Sequence, residues 1–436
     1  IPGGVITANQ WKTVHEVSEQ YGTGTIKITT RQTVQLHGLL KHQIRPTIQT
    51  FNLAKLDSIA ACGDVNRNVI VTAHPQISSI HQQIHAYADK ISKLLLPKTQ
   101  AYYEIFIDDE KIYERSVEAD PLYEDRYLPR KFKIAIAIPP SNDVDVFAND
   151  IGLIAIIKDN ELKGFNIAVG GSLSATHGNL QTYPRLGTII GFTDTEEKTL
   201  KAVYEVLTIQ RDFGNRSDRK LSRLKYTVDK MGVEKFKNEL EKRIGFSLEP
   251  AQEFEFTERS DRYGWQKNHE GKWFYTLFVE HGVIKPHQKA FLWEVADLNI
   301  SNVIFTGNQN LILGEIEESN KHLIEKLIET HQIDIQTSGL RKSSMACVAL
   351  PTCPLALAEA QRYLPTLVSK IEPLLAKHNL TEEELTIRMT GCPNGCGRPY
   401  VSEIGLIGTA PEQYNLMLGG DRFGVRLNKL FKEKLS

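Results

Sequence analysis

The sequence predicts an α+β protein that contains two related halves. Short segments of alternating apolar and polar residues, typical of half-buried strands, lie between amphipathic helices. A strand-and-turn segment near the start of the chain is echoed far downstream. Four of the five cysteines are grouped in the last quarter of the chain. The first two observations indicate the fold, and the third indicates a site in the second half.

The first predicted element is a hairpin. Thr25–Thr29 and Thr33–His37 alternate between apolar and polar residues, as strands with one polar face do. Thr29–Leu36 resembles Thr306–Leu313, and an apolar strand precedes both segments. The spacing is too long for a solenoid, so the echo favours a duplication that produced two related halves.

The remaining elements follow from the same patterns. In the middle of the chain we expect strands at Lys131–Pro139, Leu153–Ile157 and Gly164–Ser172, and helices at Thr195–Gln210 and Val233–Ile244. Residues 246–270 are polar and irregular, so they indicate a boundary. Beyond it we expect a strand at Trp273–Val283, a helix at Leu355–Lys370 that begins near Pro354, and a strand at Leu385–Thr390.

Composition limits the classes of protein. A chain of 436 residues is too long for one ordinary core, and a formal net charge of −1 does not favour nucleic-acid binding. There is no apolar run long enough for a membrane span and no signal-peptide pattern, so we expect no membrane partner. The chain opens at Ile1, so we expect it to be trimmed, also at the carboxyl end. Few cysteines for this length favour the cytoplasm.

The cysteines form two close-set pairs, Cys347 with Cys353 and Cys392 with Cys396. Four thiolates at this spacing can surround one metal centre. The five residues between the first pair are many for a zinc knuckle, and the loops are rich in glycine and proline, so an iron–sulfur cube is the first choice. Structural zinc and buried thiols stay open as alternatives. Cys62 is expected to be a plain thiol.

The second pair lies in a specific motif. Thr390-Gly391-Cys392, then Cys396, then Glu403-Ile404-Gly405-Leu406 resembles the signature of the siroheme-containing sulfite and nitrite reductases. Further matching segments are Thr30–Gln32, Asn66–Asn68, Leu128–Lys133 and Gly214–Lys220. The resemblance extends over nearly the whole chain and is greatest to the assimilatory sulfite reductase haemoproteins.

The resemblance implies a three-domain architecture with halves related by a pseudo-twofold axis. Residues 1–59 and 264–333 would form a duplicated ferredoxin-like domain that cradles siroheme. Residues 60–263 would form the first α/β repeat with the anion site. Residues 334–436 would form the second repeat, which carries the cysteines.

The resemblance also implies roles for individual residues. Cys347, Cys353, Cys392 and Cys396 would ligate a [4Fe-4S] cluster, and Cys396 would also be the axial ligand of the siroheme iron. The siroheme carboxylates would be bound by Lys27, Arg31, Arg130, Arg216, Arg223 and Arg398, and Asn394 would tune the cluster. The oxygens of sulfite would be bound and protonated by Arg67, Lys131 and Lys133.

The predicted activity is the six-electron reduction of sulfite to sulfide in sulfate assimilation and cysteine biosynthesis. Nitrite reduction at the same cofactors is the nearest alternative, and a zinc-stabilised binding protein is a remote one. The sequence contains neither of the common nucleotide-binding glycine motifs. We therefore expect electrons to come from a partner, either a flavoprotein reductase subunit that uses NADPH or a ferredoxin.

Overall fold

The computed structural model describes residues 1–73, 78–98, 119–333 and 336–436, and the backbone of 104–107 and 110–114. Within this part of the chain, no helix is long and apolar enough to cross a membrane. The predicted domain boundary at 334 lies outside the described residues, and the three-domain division stays a prediction.

Helices and strands alternate along the chain. The helices are α1 (Ala8–Tyr21), α2 (Ile44–Leu53), α3 (Ser79–Leu95), α4 (Glu196–Phe213), α5 (Leu224–Met231), α6 (Val233–Ile244), α7 (Pro286–Leu298), α8 (Lys321–Thr330), α9 (Gly339–Lys342) and α10 (Leu364–Lys377). The strands are β1 (Val5–Ile6), β2 (Ile26–Ile28), β3 (Val34–Leu36), β4 (Ile70–Val71), β5 (Glu104–Ile107), β6 (Glu110–Glu114), β7 (Ile134–Ala137), β8 (Ile151–Lys158), β9 (Glu161–Val169), β10 (Thr188–Thr193), β11 (Gly264–Lys267), β12 (Trp273–Leu277), β13 (Asn302–Phe305), β14 (Leu311–Ile316), β15 (Met345–Ala346), β16 (Ile387–Thr390), β17 (Ile404–Ala410), β18 (Gln413–Leu418) and β19 (Lys429–Leu435).

Two five-stranded sheets have the same topology. One has the order β4-β7-β8-β9-β10 and the other the order β15-β16-β17-β18-β19. In each sheet the first two pairings are parallel and the last two are antiparallel. This correspondence, strand for strand, confirms the predicted α+β fold with duplicated halves.

A third five-stranded sheet and a small hairpin connect the two halves. β1 pairs with β13 in the antiparallel sheet β1-β13-β14-β12-β11. In return, Val283 bridges to Lys27 of the β2-β3 hairpin, and the Ile284 amide donates to the Ile26 carbonyl at 3.2 Å. The first half thus supplies a strand to the sheet of the second half, and the second half returns a single backbone bridge to the hairpin of the first.

The echoed sequence forms the same turn twice. The Thr29 amide donates to the Thr33 carbonyl at 2.8 Å, and the Thr306 amide donates to the Asn310 carbonyl at 3.0 Å. A glycine at positive φ packs against each turn. A Cβ on Gly282 would lie 2.3 Å from the backbone oxygen of Ile28, the residue before the first turn. Only glycine fits this close approach.

Each large sheet packs on its own helices. In the first repeat, the core joins strand residues such as Ile136 and Leu153 to Ile84 of α3 and Val206 of α4. Helix α4 begins where Thr195 accepts a hydrogen bond from the Lys198 amide, close to the predicted start. The predicted helix Val233–Ile244 is confirmed by α6.

Some predicted elements have different bounds in the structure, among them the strand Trp273–Val283, which ends at Leu277. The predicted strand Lys131–Pro139 is shorter, because β7 covers only Ile134–Ala137. The predicted helix at Leu355–Lys370 begins instead at Leu364. Its expected first turn is occupied by a loop, because the amides of Leu357 and Ala358 both donate to the Gly391 carbonyl, at 2.7 and 3.0 Å.

Candidate functional site

One cavity lies where segments of both halves meet. Its space, with the open mouth included, is about 530 Å³. It is lined by Thr30, Arg31, Ile70, Lys131, Lys133, Val144, Ala148, Asn149, Ser172, Leu173, Ser174, Arg223, Asn394, Gly395, Cys396 and Arg398. The turn after β2, the segment before β7 and the loop after β16 each contribute residues. Seven of the residues predicted from the sequence therefore line one cavity.

Two arginines on the wall are fixed by protein acceptors. Arg223 forms an ion pair with Asp150 at 2.7 Å, and both side chains are almost fully buried. Arg31 donates to Asn149 Oδ1 at 2.9 Å, to the Ile134 carbonyl at 3.0 Å and to the Asn68 carbonyl. Both guanidinium groups are thus held in place. Burial lowers the pKa of Arg31 to about 9, and no carboxylate of the described residues pairs with it.

The two lysines differ from the arginines. Within the described residues, neither the Lys131 nor the Lys133 ammonium has a hydrogen-bond acceptor or an ion-pair partner. Burial, followed by the charges of Lys131, Arg223 and Arg31, lowers the pKa of Lys133 well below its ordinary value. Burial and then Arg223 also lower the pKa of Lys131. Such crowding of like charges disfavours the empty cavity and favours an anion inside it.

The four cysteines of the second half form one group of interacting thiols. Burial, followed by the influence of Cys396, raises the pKa of Cys347 to about 12, and Cys392 acts in the same direction. Burial also raises the pKa of Cys392, with contributions from Cys396 and Cys353. The Gly391 amide donates to Cys347 Sγ at 3.4 Å. Cys396 is the member of the group that lines the cavity.

In the described part of the chain, no group of three His, Cys, Asp or Glu side chains is placed to hold one metal ion. Thiolates around one zinc, with Zn–S bonds of about 2.3 Å, would lie within about 4 Å of one another. An iron–sulfur cube bonds each cysteine to a different iron, so it accepts a wider set. The donor set of four thiols fits such a cube.

The loop after Cys396 is anchored to the other half. Arg398 is buried, forms an ion pair with Asp145 at 2.9 Å, and donates to the carbonyls of Asp143, at 3.2 Å, and Gly307. Asp145 also pairs with Arg259 and Arg388, each at 2.6 Å. Burial alone would raise the pKa of Asp145, but the three arginines lower it to about 2. The Cys396 loop therefore has a fixed position relative to the first repeat.

Asp145 and Arg398 occupy matching positions in the two repeats. Both have left-handed backbone conformations, with φ of 48° and 56°, and each precedes a short 3-10 turn. A Cβ on Gly152 would meet the Val146 carbonyl, and one on Gly405 would meet the Pro399 carbonyl, at 2.8 and 2.4 Å. The ion pair thus joins equivalent points across the pseudo-twofold relation.

Other predicted site residues lie outside the cavity lining. Lys27 is buried and donates to the His281 carbonyl at 2.5 Å; burial lowers its pKa to about 7, and the neighbouring Cys347 acts in the opposite direction. Arg67 donates to the carbonyls of Ala61 and of Gly63, the latter at 2.9 Å.

Arg130 and Arg216 also lie outside it. Burial, Arg219 and Arg223 lower the pKa of Arg130, so Arg130 lies near the charged wall. Arg216 is exposed and donates to three backbone carbonyls, those of Arg126, Tyr127 and Arg211, at 2.7 to 3.1 Å. Its present contacts hold a loop together.

Sequence reasoning missed several residues of the site. Asn149 and Asp150 hold Arg31 and Arg223, and Asp145 holds Arg398. Lys225 donates to the carbonyls of Ser172, Ser174 and Tyr183, at 3.3 and 2.7 Å for the two serines, and so supports another part of the wall. For Asp145, Asn149 and Asp150 the signal was the segment 141–150, which mixes Asp and Asn with apolar residues between the apolar strands β7 and β8.

Comparisons with known proteins agree on one family. The model of the nitrite and sulphite reductase 4Fe-4S domain matches residues 86–248, and that of the nitrite/sulfite reductase ferredoxin-like half domain matches residues 1–53. A sulfite reductase [NADPH] hemoprotein beta-component of Leptospira biflexa serovar Patoc is 58% identical over 100% of this chain and 80% of its own length. The protein of the same name from Bacillus subtilis is 49% identical over 100% of this chain and 77% of its own length.

A solved structure shows the same fold. The Mycobacterium tuberculosis NirA protein superposes with a TM-score of 0.81 at 23% identity, over 99% of this chain and 76% of its own. At that identity the likeness concerns the fold alone.

Proposed function

Because this chain belongs to the family of sulfite reductase hemoprotein beta-components, we propose that it reduces sulfite to sulfide. The reaction uses six electrons, and the three oxygens of sulfite leave as water. Family membership rests on 58% and 49% identity over the whole chain. Membership of this family argues against the remote alternative, a zinc-stabilised binding protein.

The proposal rests mainly on one observation: a thiol and two lysine ammonium groups line the same cavity. Cys396 shares the cavity wall with Lys131 and Lys133, and neither lysine has an anionic partner within the described residues. A thiolate suits an iron ligand, and unpaired ammonium groups suit an anionic substrate that must receive protons.

The residues present fit a siroheme and a [4Fe-4S] cluster. Four thiols form the donor set for the cluster, and Asn394 hydrogen-bonds to Cys392 through its amide and its side chain. The buried Nε of Arg31 has no hydrogen-bond partner among the described residues, as expected of a group that awaits a carboxylate. When bound, the two groups supply single electrons and an iron that binds the sulfur of sulfite.

The roles of the cations follow from their positions. Lys131 and Lys133 would bind the sulfite oxygens and give up protons as each oxygen leaves, because an ammonium group with a lowered pKa is a better acid. Arg31 and Arg223, on the same wall, would bind siroheme carboxylates together with Lys27, Arg130, Arg216 and Arg398.

Arg67 would complete the anion site. Its charge already acts on Lys131 and Arg31. Its guanidinium donates to two carbonyls of the loop that carries Cys62, and its positive charge would help to bind a sulfite oxygen. Cys396 would link cluster and siroheme iron, which gives electrons a short path.

Electrons would come from a partner protein. The relatives' printed name includes NADPH, and this favours a flavoprotein reductase subunit over a ferredoxin. Reduced thiols and soluble electron donors fit a cytoplasmic location.

A dye-coupled assay tests the function. The chain is purified with siroheme and cluster, and sulfide is measured with a reduced viologen dye as donor. We expect sulfite turnover, a visible siroheme spectrum, and iron with acid-labile sulfide in the sample. Faster conversion of nitrite to ammonia at low substrate would favour the rival activity, and a protein that stays colourless when both groups are supplied during expression would end the proposal.

A further inference from the structure

We propose that an exposed face of helix α2 is the docking surface for an acidic electron-donor protein, the flavoprotein reductase subunit. The face consists of Leu40, Lys41, Ile44, Arg45 and Ile48 and is termed the α2 face below. The inference rests on the proposed function, which requires electrons from a partner.

The α2 face has an apolar stripe in contact with solvent. Leu40 is 58% exposed, Ile44 is 47% exposed and Ile48 is 40% exposed. The three residues are four positions apart, so they lie next to one another along one side of the helix and of the turn before it. Contiguous exposed apolar residues that are bordered by charge are typical of a protein interaction site.

The charge of the α2 face has one sign. Lys41 and Arg45 are exposed beside the stripe, and neither forms an ion pair within the described residues. The sequence from Gln20 to Leu56 contains no aspartate or glutamate. A surface of this kind attracts an acidic partner over a distance and repels a basic one.

The hairpin that precedes the α2 face lies near the cysteines. Arg362 donates to the Leu350 carbonyl at 2.7 Å and to Thr352 Oγ1 at 3.0 Å, in the loop between Cys347 and Cys353. The charge of Arg362 also acts on His37, the residue that ends the first hairpin just before Leu40. The hairpin that leads into the α2 face is therefore close to the loop between Cys347 and Cys353, and its turn contacts the other cysteine loop, because Thr30 Oγ1 donates to the Cys396 carbonyl at 3.2 Å. Electron transfer weakens steeply with distance, so this position suits an electron donor.

A second copy of the chain is a poorer occupant. In a twofold interface the same patch contacts itself. Lys41 and Arg45 would then face their own copies, and like charges in contact disfavour binding. An acidic protein with an apolar patch meets both properties of the α2 face.

The test reverses the charge of the α2 face in the full chain that carries both prosthetic groups. The double variant Lys41→Glu/Arg45→Glu is compared with Lys235→Glu/Lys242→Glu, which changes two exposed lysines of α6. Binding of the flavoprotein subunit is measured by calorimetry, and sulfide formation is measured with NADPH plus flavoprotein and, separately, with a viologen dye. Ile44→Asn tests the apolar stripe in the same assays.

We expect the α2 double variant to weaken flavoprotein binding, and to raise the KM for the flavoprotein, at least about tenfold. Dye-driven turnover should stay within about twofold of the unchanged protein, and the α6 variant should resemble the unchanged protein in every assay. Equal effects of the α2 and α6 variants, or unchanged flavoprotein binding in the α2 variant, would overturn the proposal.

Two further outcomes would also overturn it. If light scattering shows that the unchanged chain is a dimer and the α2 variant is a monomer, the α2 face binds a second copy. If a ferredoxin binds there and the flavoprotein does not, the choice of partner is wrong. Loss of dye-driven turnover in the unchanged protein would instead refute the proposed function, and the binding measurement still decides whether the α2 face docks the flavoprotein.

Discussion

Replacing Asp145 by Asn is expected to destabilise the protein by about 2 to 5 kcal/mol. Asp145 has no exposed side-chain surface and pairs with Arg259, Arg388 and Arg398 at 2.6 to 2.9 Å. The lower bound comes from the fall of its pKa from 3.8 to about 2, which corresponds to about 2 kcal/mol. The upper bound is the ~5 kcal/mol lost when one partner of a buried pair is removed.

Thermal unfolding followed by circular dichroism measures this effect. For domains of this size, 1 kcal/mol corresponds to roughly 2 to 4 °C, so Tm should fall by roughly 4 to 20 °C. The control is Asp194→Asn, which breaks the exposed pair with Lys198 at 2.7 Å and should cost less than about 1 kcal/mol. A Tm for the Asp145 variant within about 2 °C of the control would refute the reasoning.

The pH dependence of the same difference has a definite sign. The folded-state pKa of Asp145 is below its ordinary value, so the stabilisation is fully present above about pH 4 and is lost only as the pH falls towards 2. The difference in Tm between the unchanged protein and the Asp145→Asn variant should therefore be the same at about pH 6 and about pH 8.

Three other replacements test separate parts of the structure. Cys396→Ser should abolish the spectroscopic coupling between siroheme and cluster, whereas Cys62→Ser should leave the spectrum unchanged. Lys133→Met should lower sulfite turnover about 100-fold or more with siroheme content intact; loss of siroheme would instead show that the lysine supports the fold. Gly282→Ala should lower Tm more than Gly245→Ala, because both residues have φ near 80° but only the first would bring a Cβ within 2.3 Å of a backbone oxygen. Equal Tm values for the two glycine variants would contradict that contact.

The cysteine group was predictable because its spacing is local. Two short motifs contain all four thiols, and a motif needs no knowledge of tertiary contacts. The resemblance assigned Lys131 and Lys133 to the same anion, and both line one cavity. Both lysines lie in the segment before β7 and not in the strand itself. The alternation of side-chain directions therefore begins before the hydrogen-bonded part of the strand.

The supporting contacts were not predictable in this way. Asp145 and Arg398 are 253 residues apart in the sequence. Arg398 reaches Asp145 and the Asp143 carbonyl only after both repeats have folded. Arg216 shows the converse limit. Its motif matches the family, but its present contacts with three carbonyls depend on loop geometry that no pattern encodes.

Backbone contacts in both directions join the two halves of the chain. Val5–Ile6 pairs with β13 in the sheet of the second half. Val283 and Ile284 make backbone contacts with Lys27 and Ile26 of the first hairpin. A fragment cut between the halves would expose an unpaired strand edge on each piece, and such edges promote aggregation. Two fragments expressed together would be able to rejoin by restoring these backbone contacts, whereas either fragment alone would lack its partner segment.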